Sequence, residues 1–215
     1  MKQMCCKRLL CLIIGCATFA LNYSTSATNT LSNLSSPVRG SDPVPYIGSA
    51  IANAFVTGPS SPLLLDFATL DANIAPGNGL ALNIYKNIGG QIAGSTLGTW
   101  SQEQAGHGSD DYMFTGTAID LDPNTSYWLV VSPLSGQSGA WYWTETSSAD
   151  SAFGWSVGAH AYDGSDGWHY FGVEPYVFAL DAIAVPEPTE LLMATLLLVI
   201  ASGVALRRYI NNKKR

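Results

Sequence analysis

The chain has 215 residues, 47% of them hydrophobic and only 12% charged, with ten Lys and Arg against sixteen Asp and Glu for a net charge of −6. The charge is uneven: between Thr28 and Ala184 there are two basic residues, Arg39 and Lys86, against fourteen acids. A surface so acidic repels the phosphates of nucleic acid and of anionic lipid, which excludes nucleic-acid binding by this section.

At the N-terminus, Lys2, Lys7 and Arg8 form a positive region, residues 9–21 an apolar one, and Thr25-Ser26-Ala27 a small-residue cleavage site. Residues 1–27 are therefore predicted to be a signal peptide, handled by the Sec machinery and signal peptidase. Ile13-Ile14-Gly15-Cys16 also reads as a lipobox with Cys16 lipidated. The apolar stretch before Cys16 is short and continues beyond it through Phe19 and Leu21, which favours the ordinary signal. All four cysteines (Cys5, Cys6, Cys11, Cys16) lie here, so the mature chain is expected to have neither a disulfide nor a cysteine-bound metal. Residues 28–45, rich in Ser, Thr, Asn and Pro, are predicted to be a flexible linker.

Residues 46–184 carry short extended runs separated by turn residues and no long helical period, which predicts an all-β domain: an antiparallel β-sandwich, jelly-roll-like. Leu80, Leu82 and Ile84 alternate with Ala81, Asn83 and Tyr85 at the two-residue period of a strand, and Gly89-Gly90 turns the chain. Residues 112–121 form a longer run ending at Asp122-Pro123-Asn124-Thr125, which suits a type I turn. Residues 126–132 are apolar on both faces, as in a central strand. Further strands are expected over 141–144, 153–157, 168–173 and 176–183. The blocks Ala54-Phe55-Val56-Thr57-Gly58, Leu80-Ala81-Leu82-Asn83-Ile84-Tyr85, Leu97-Gly98-Thr99-Trp100 and above all Asn124-Thr125-Ser126-Tyr127-Trp128-Leu129 resemble a choice-of-anchor R domain. That resemblance implies a β domain displayed on a bacterial surface and carries no reaction to particular residues.

Residues 185–215 have three parts. Val185-Pro186-Glu187-Pro188 is extended, because two prolines fix φ and remove donors. Residues 191–206 are apolar, about 24 Å as a helix. That is short for a bilayer core of ~30 Å unless arginine side chains reach the interface. Arg207-Arg208 and Lys213-Lys214-Arg215 hold the end on the cytoplasmic side. Motif, single transmembrane helix and basic tail in this order resemble the PEP-CTERM sorting signal. The resemblance implies an exosortase partner in the inner membrane, a membrane-anchored precursor, and a mature form at the cell surface or in an exopolysaccharide or biofilm matrix.

Candidate sites in the body are sparse. Gly154-Trp155-Ser156-Val157-Gly158, followed by Asp163 and His169, matches a hydrolase nucleophile elbow. That elbow requires a strand, a strained turn and a helix, so the match in a β-rich stretch reads as coincidence and no catalytic residue is assigned. Asp163 and Asp166, in Asp163-Gly164-Ser165-Asp166-Gly167, are weak metal candidates that supply too few oxygens for calcium; a solvated turn is the plainer reading, and no cofactor is expected. His107, His160 and His169 lack metal-ligand spacing, although His160 and His169 flank the Asp163 loop. Glu103 and Glu145 form a conceivable glycosidase pair with unknown separation. Alternation places Trp141 and Trp143 on one strand face, either packed in the core or stacking on a glycan. The sequence thus predicts a non-catalytic exported protein, with a Trp-based carbohydrate-binding module as the alternative and a secreted hydrolase after that.

Overall fold

The computed structural model describes residues 28–44, 49–59, 63–134, 138–146, 148–151, 154–172, 174–184 and 188–213. The predicted signal peptide with its Cys16 lipobox, and Val185, Pro186 and Glu187 of the sorting motif, lie outside the described residues. The chain divides into two compact units; residues 27–185 form one, and the helix that follows belongs to the other.

The first unit is all strand. Its elements are β1 (Thr28–Ser32), β2 (Gly40–Val44), β3 (Ile51–Val56), β4 (Leu63–Ile74), β5 (Leu80–Ile88), β6 (Gln91–Ile92), β7 (Gly98–Gln102), β8 (Gly108–Leu121), β9 (Ser126–Pro133), β10 (Gly139–Trp143), β11 (Asp150–Ser151), β12 (Ser156–Gly164), β13 (Gly167–Phe171) and β14 (Phe178–Ala184). Every strand pairing among the described residues is antiparallel. Hydrogen bonds join the strands into one sheet in the order β11-β1-β14-β4-β8-β7-β5-β9-β3-β12-β13, with β10 and β2 branching from β4 and β6 from β5. The limb ending at β8 meets the limb beginning at β7 through only two residue pairs, Ser101↔Thr115 and Gln102↔Phe114. The sheet curls there, so that Leu70 and Phe114 from one limb and Leu82 and Leu129 from the other share one core.

Strand periodicity builds that core as expected. Leu80, Leu82 and Ile84 are fully buried. Gly89 and Gly90, at φ 65° and 86°, make the two-residue turn between β5 and β6, a conformation that disfavours residues with a Cβ. β9 pairs β3 on one side and β5 on the other. Its Tyr127, Leu129 and Val131 enter the main core, while Trp128 and Val130 enter a second cluster with Ala52, Ala54 and Ala161. β4 changes parity at a register shift between Leu65 and Phe67. Leu63 and Leu65 point inward before it; Ala68, Leu70, Ala72 and Ile74 do so after it.

Two expectations are corrected. Residues 28–44 are not a loose linker, because they supply β1 and β2. Leu31 and Val44 are fully buried there, and buried Asn33 donates to the Tyr176 carbonyl at 2.9 Å and accepts from the Phe178 N–H at 2.7 Å. Short polar residues here replace backbone partners, which composition alone does not distinguish from solvation. The turn after β8 also differs: Asn124 has φ 50°, a left-handed value that the third position of a type I turn lacks and that Asn tolerates. Thr57 fixes this turn, its hydroxyl donating to the Asp122 carbonyl at 2.6 Å and accepting from the Thr125 N–H at 2.9 Å.

In the second unit, α1 (Pro188–Lys213) is a helix of 26 residues. Pro188 is its first residue, where a missing N–H costs no helical bond, so Pro188 is helical rather than extended as the two-proline reading has it. Arg207 and Arg208 are helical and exposed. The side chains of residues 191–194 and 206 lie outside those described, and among the described residues no helix is long and apolar enough to cross a membrane.

Candidate functional site

The β12–β13 hairpin turns through Ser165 and Asp166 and pairs His160↔Phe171 and Tyr162↔His169. Strand alternation therefore puts all four of these side chains on one face. Their rings form a continuous stack: His160 on Phe171 at 5.1 Å and 14°, Phe171 on Tyr162 at 5.6 Å and 15°, Tyr162 on His169 at 4.8 Å and 20°. Tyr162 and Phe171 are each 43% exposed, high for large aromatics that have ring partners.

Beside the stack lies a cavity of about 520 Å³ lined by Asp42, His160, Tyr162, Asp163, Phe171 and Glu174, among others. This volume falls within the roughly 300–1,000 Å³ of small-molecule sites. Three chain segments contribute acidic residues to the lining. Asp42 comes from β2, Asp163 from the end of β12, where its N–H donates to the Ala50 carbonyl at 2.8 Å, and Glu174 from the connection into β14. Glu174 has φ 105°, strained for a residue with a Cβ; backbone strain of this kind gathers at functional sites.

Tyr176, itself buried, contacts two of the lining residues, Asp42 and His160. Its hydroxyl donates to Asp42 Oδ2 at 2.7 Å and its N–H to Asn53 Oδ1 at 2.8 Å. Its ring lies on Trp141 at 4.5 Å and 15° and meets the edge of His160 at 5.7 Å and 78°. Burial, reinforced by the Asp42 carboxylate, drives the Tyr176 phenol far above its ordinary range, so it stays protonated and donates permanently. Burial lowers the pKa of His160 below that of a free imidazole, against the opposing pull of Asp42 and Glu174, so His160 is neutral at pH 7. Its Nδ1 is buried, and among the described residues it has no hydrogen-bond partner.

Among the described residues, no Lys or Arg lines this site. Arg39 Nε lies 3.5 Å from Glu145, and Lys86 Nζ lies 3.0 Å from Asp122. Neither lines the cavity.

The sequence-level candidates are distributed as follows. Asp163 is one of the residues lining the cavity but alternates to the strand face opposite Tyr162, whereas Asp166 pairs with His169 Nε2 at 2.7 Å, a bond that lowers the Asp166 pKa. The two therefore do not converge, and among the described residues no group of three or more His, Cys, Asp or Glu is placed to hold a metal. Ser156 opens β12 four residues before His160 on the same strand, about 13 Å at ~3.3 Å per residue, and no helix follows it. Glu103 accepts from Thr115 and Glu145 sits beside Arg39. His107 Nε2 lies 3.6 Å from Asp110.

The glycan-stacking reading of Trp141 fails on burial. Trp141 is 0% exposed, stacked on Tyr176, and its Nε1 donates to the Val177 carbonyl at 2.8 Å, so no ring face is free. Trp143 is half-buried against the core, with its indole over Gly40, where a Cβ would lie 2.7 Å from the ring. Sequence reasoning missed Tyr162, Phe171, Asp42 and Glu174. The readable signal was the pair His160-x-Tyr162 and His169-x-Phe171 around a turn sequence, an aromatic alternation that predicts a hairpin with one ring-covered face. Comparison with protein-family models and with curated proteins gives no match.

Proposed function

We propose that the protein is an exported, non-catalytic β domain, jelly-roll-like in architecture, carried to the cell envelope by its C-terminal tail. The observation that carries this reading is the surface of α1. Leu196, Leu197, Val199, Ile200 and Val204 are 48–63% exposed on a helix that belongs to a unit separate from the β domain. Apolar side chains left uncovered to this extent are unfavourable in water and are satisfied in hydrocarbon. The run of residues 191–206 is short of a full bilayer core, and Arg207 and Arg208 complete the span by reaching the interface.

The resemblance to PEP-CTERM tails supplies the mechanism. The signal peptide starts export through the Sec machinery. The helix stops transfer and leaves the acidic domain outside the inner membrane. An exosortase acts near Pro186–Pro188 and releases the domain to the surface or to an exopolysaccharide matrix. Replacing Pro186, Glu187 and Pro188 with alanine is expected to leave full-length precursor in the inner-membrane fraction. Unchanged processing on an immunoblot contradicts the reading.

A further inference from the structure

β13 ends the sheet order, and among the described residues it pairs with β12 alone. An edge strand presents a row of N–H and C=O groups with which another extended chain can pair, and folded proteins blunt such edges by shortness, charge or proline. The other outer strands carry these devices. β11 is only Asp150 and Ser151, and β6 only Gln91 and Ile92. β2, paired to β10, contains Asp42 and Pro43. β13 carries none of them. It runs Gly-Trp-His-Tyr-Phe over Gly167–Phe171, an ordinary strand length without Lys, Arg, acid or proline, and its register with β12 has no bulge.

The backbone direction of β13 is fixed by its neighbour. The Asp163 N–H donates to the carbonyl of Ala50, the residue before β3, and so points away from β13. Asp163 and its partner Trp168 are therefore a pair that exchanges no bonds, and by alternation Ala161 and Tyr170 are another. Trp168 and Tyr170 thus turn their N–H and C=O to the open side, where among the described residues these groups have no partner.

We propose that β13 docks a second copy of this chain, the two β13 strands pairing antiparallel about a two-fold axis at His169 and joining two sheets into one. The edge is self-complementary in that register. Trp168 lies opposite Tyr170 of the partner subunit, and each such pair exchanges both backbone bonds. The same pairs set an indole beside a phenol, the aromatic cross-strand contact that favours pairing. A peptide of unrelated sequence gains the backbone bonds alone, whereas a second copy brings its own ring pairs as well. A five-residue edge is small against the roughly 1,200 Å² of a stable interface, and the acidic domains repel, so the dimer is weak, with a Kd of about 10 μM to 1 mM, and tightens as salt screens the repulsion. Every residue involved lies in the β domain, so failure of the sorting reading leaves the proposal standing.

The test is sedimentation equilibrium of the full chain in density-matched detergent with micelles in excess, at low and high salt, over concentrations that bracket that Kd. A monomer–dimer equilibrium is expected, stronger at high salt. Tyr170→Pro removes an outward N–H without touching the β12 ladder and should weaken the dimer at least about tenfold. His169→Lys should do the same, because in the dimer two ammonium groups meet at the axis, whereas in the monomer the new ammonium pairs with Asp166. Circular dichroism and an unfolding midpoint matching the parent show that a variant is folded. His169→Lys, which keeps every backbone group, decides the matter if Tyr170→Pro does not fold. A chain that stays monomeric across the range overturns the proposal. So does a dimer that the folded variants leave intact, since it is then held elsewhere.

Discussion

Two aromatic stacks meet at Tyr176, and they differ in what lies over them. In one, Trp141 rests on Tyr176 at 4.5 Å with Phe178 at its edge, and all three are sealed in the core. In the other, His160, Phe171, Tyr162 and His169 stack at similar distances, but the first three line a cavity that acidic residues also border. Strand alternation produces both. What separates them is depth: β10 pairs with β2 and β4 on its two sides, whereas β13 ends the sheet order and, among the described residues, pairs with β12 alone. The same ring chemistry therefore stabilises the fold in one place and borders an open cavity in the other.

Truncating the sealed stack should have the largest effect. Trp141→Ala removes a fully buried indole and its bond to Val177, and should lower unfolding free energy by about 3–5 kcal/mol in a denaturant titration. Asn53→Ala should cost about 1–3 kcal/mol, because it leaves the Tyr176 N–H buried without its acceptor. Phe171→Ala, in the open stack, should cost under ~1 kcal/mol, the scale of one cross-strand aromatic pair. A loss at Phe171 as large as that at Trp141 would erase the distinction between the stacks.

The smallest effect is expected away from both. Asp71 and Asp111 face each other across β4 and β8, and the pKa of each is raised, by burial first and then by neighbouring carboxylates. A carboxyl whose folded pKa lies above its unfolded one penalises the folded state once ionised, so the penalty is full at pH 7 and absent below the unfolded value of 3.8. Asp111 is exposed, so the repulsion is screened; Asp111→Asn should raise stability at pH 7 by only about a few tenths of a kcal/mol, and the gain should vanish as pH falls toward 3.8. His160 works in the other direction. Its folded pKa is lowered, so the domain should lose stability as pH falls through 6.5, and His160→Phe should flatten that part of the profile.

The sequence disclosed the core better than the site. Leu80, Leu82 and Ile84 announced an inner strand face by period, and residues 126–132 announced a two-sided central strand by apolarity on both faces. β1 and β2 stayed hidden, because they pair with distant strands, β1 with β14 and β2 with β10, and the Asn33 side chain bonds the backbone of Tyr176 and Phe178 some 145 positions away; local composition carries no trace of such pairs. The cavity was half visible. Asp163 and the flanking histidines drew attention, but Asp42 and Glu174 reach it only through the closure of the sheet. Trp141 misled because alternation tells which face a ring is on and not how deeply that face is covered.

The central claim is that two terminal segments are addresses and the acidic domain between them is the cargo. Intact-mass measurement of the polypeptide recovered outside the inner membrane, with terminal peptide sequencing, tests it most directly. The predicted species begins at Thr28 and ends ahead of the apolar run that starts at Leu191. A cytosolic polypeptide retaining all 215 residues would contradict the account.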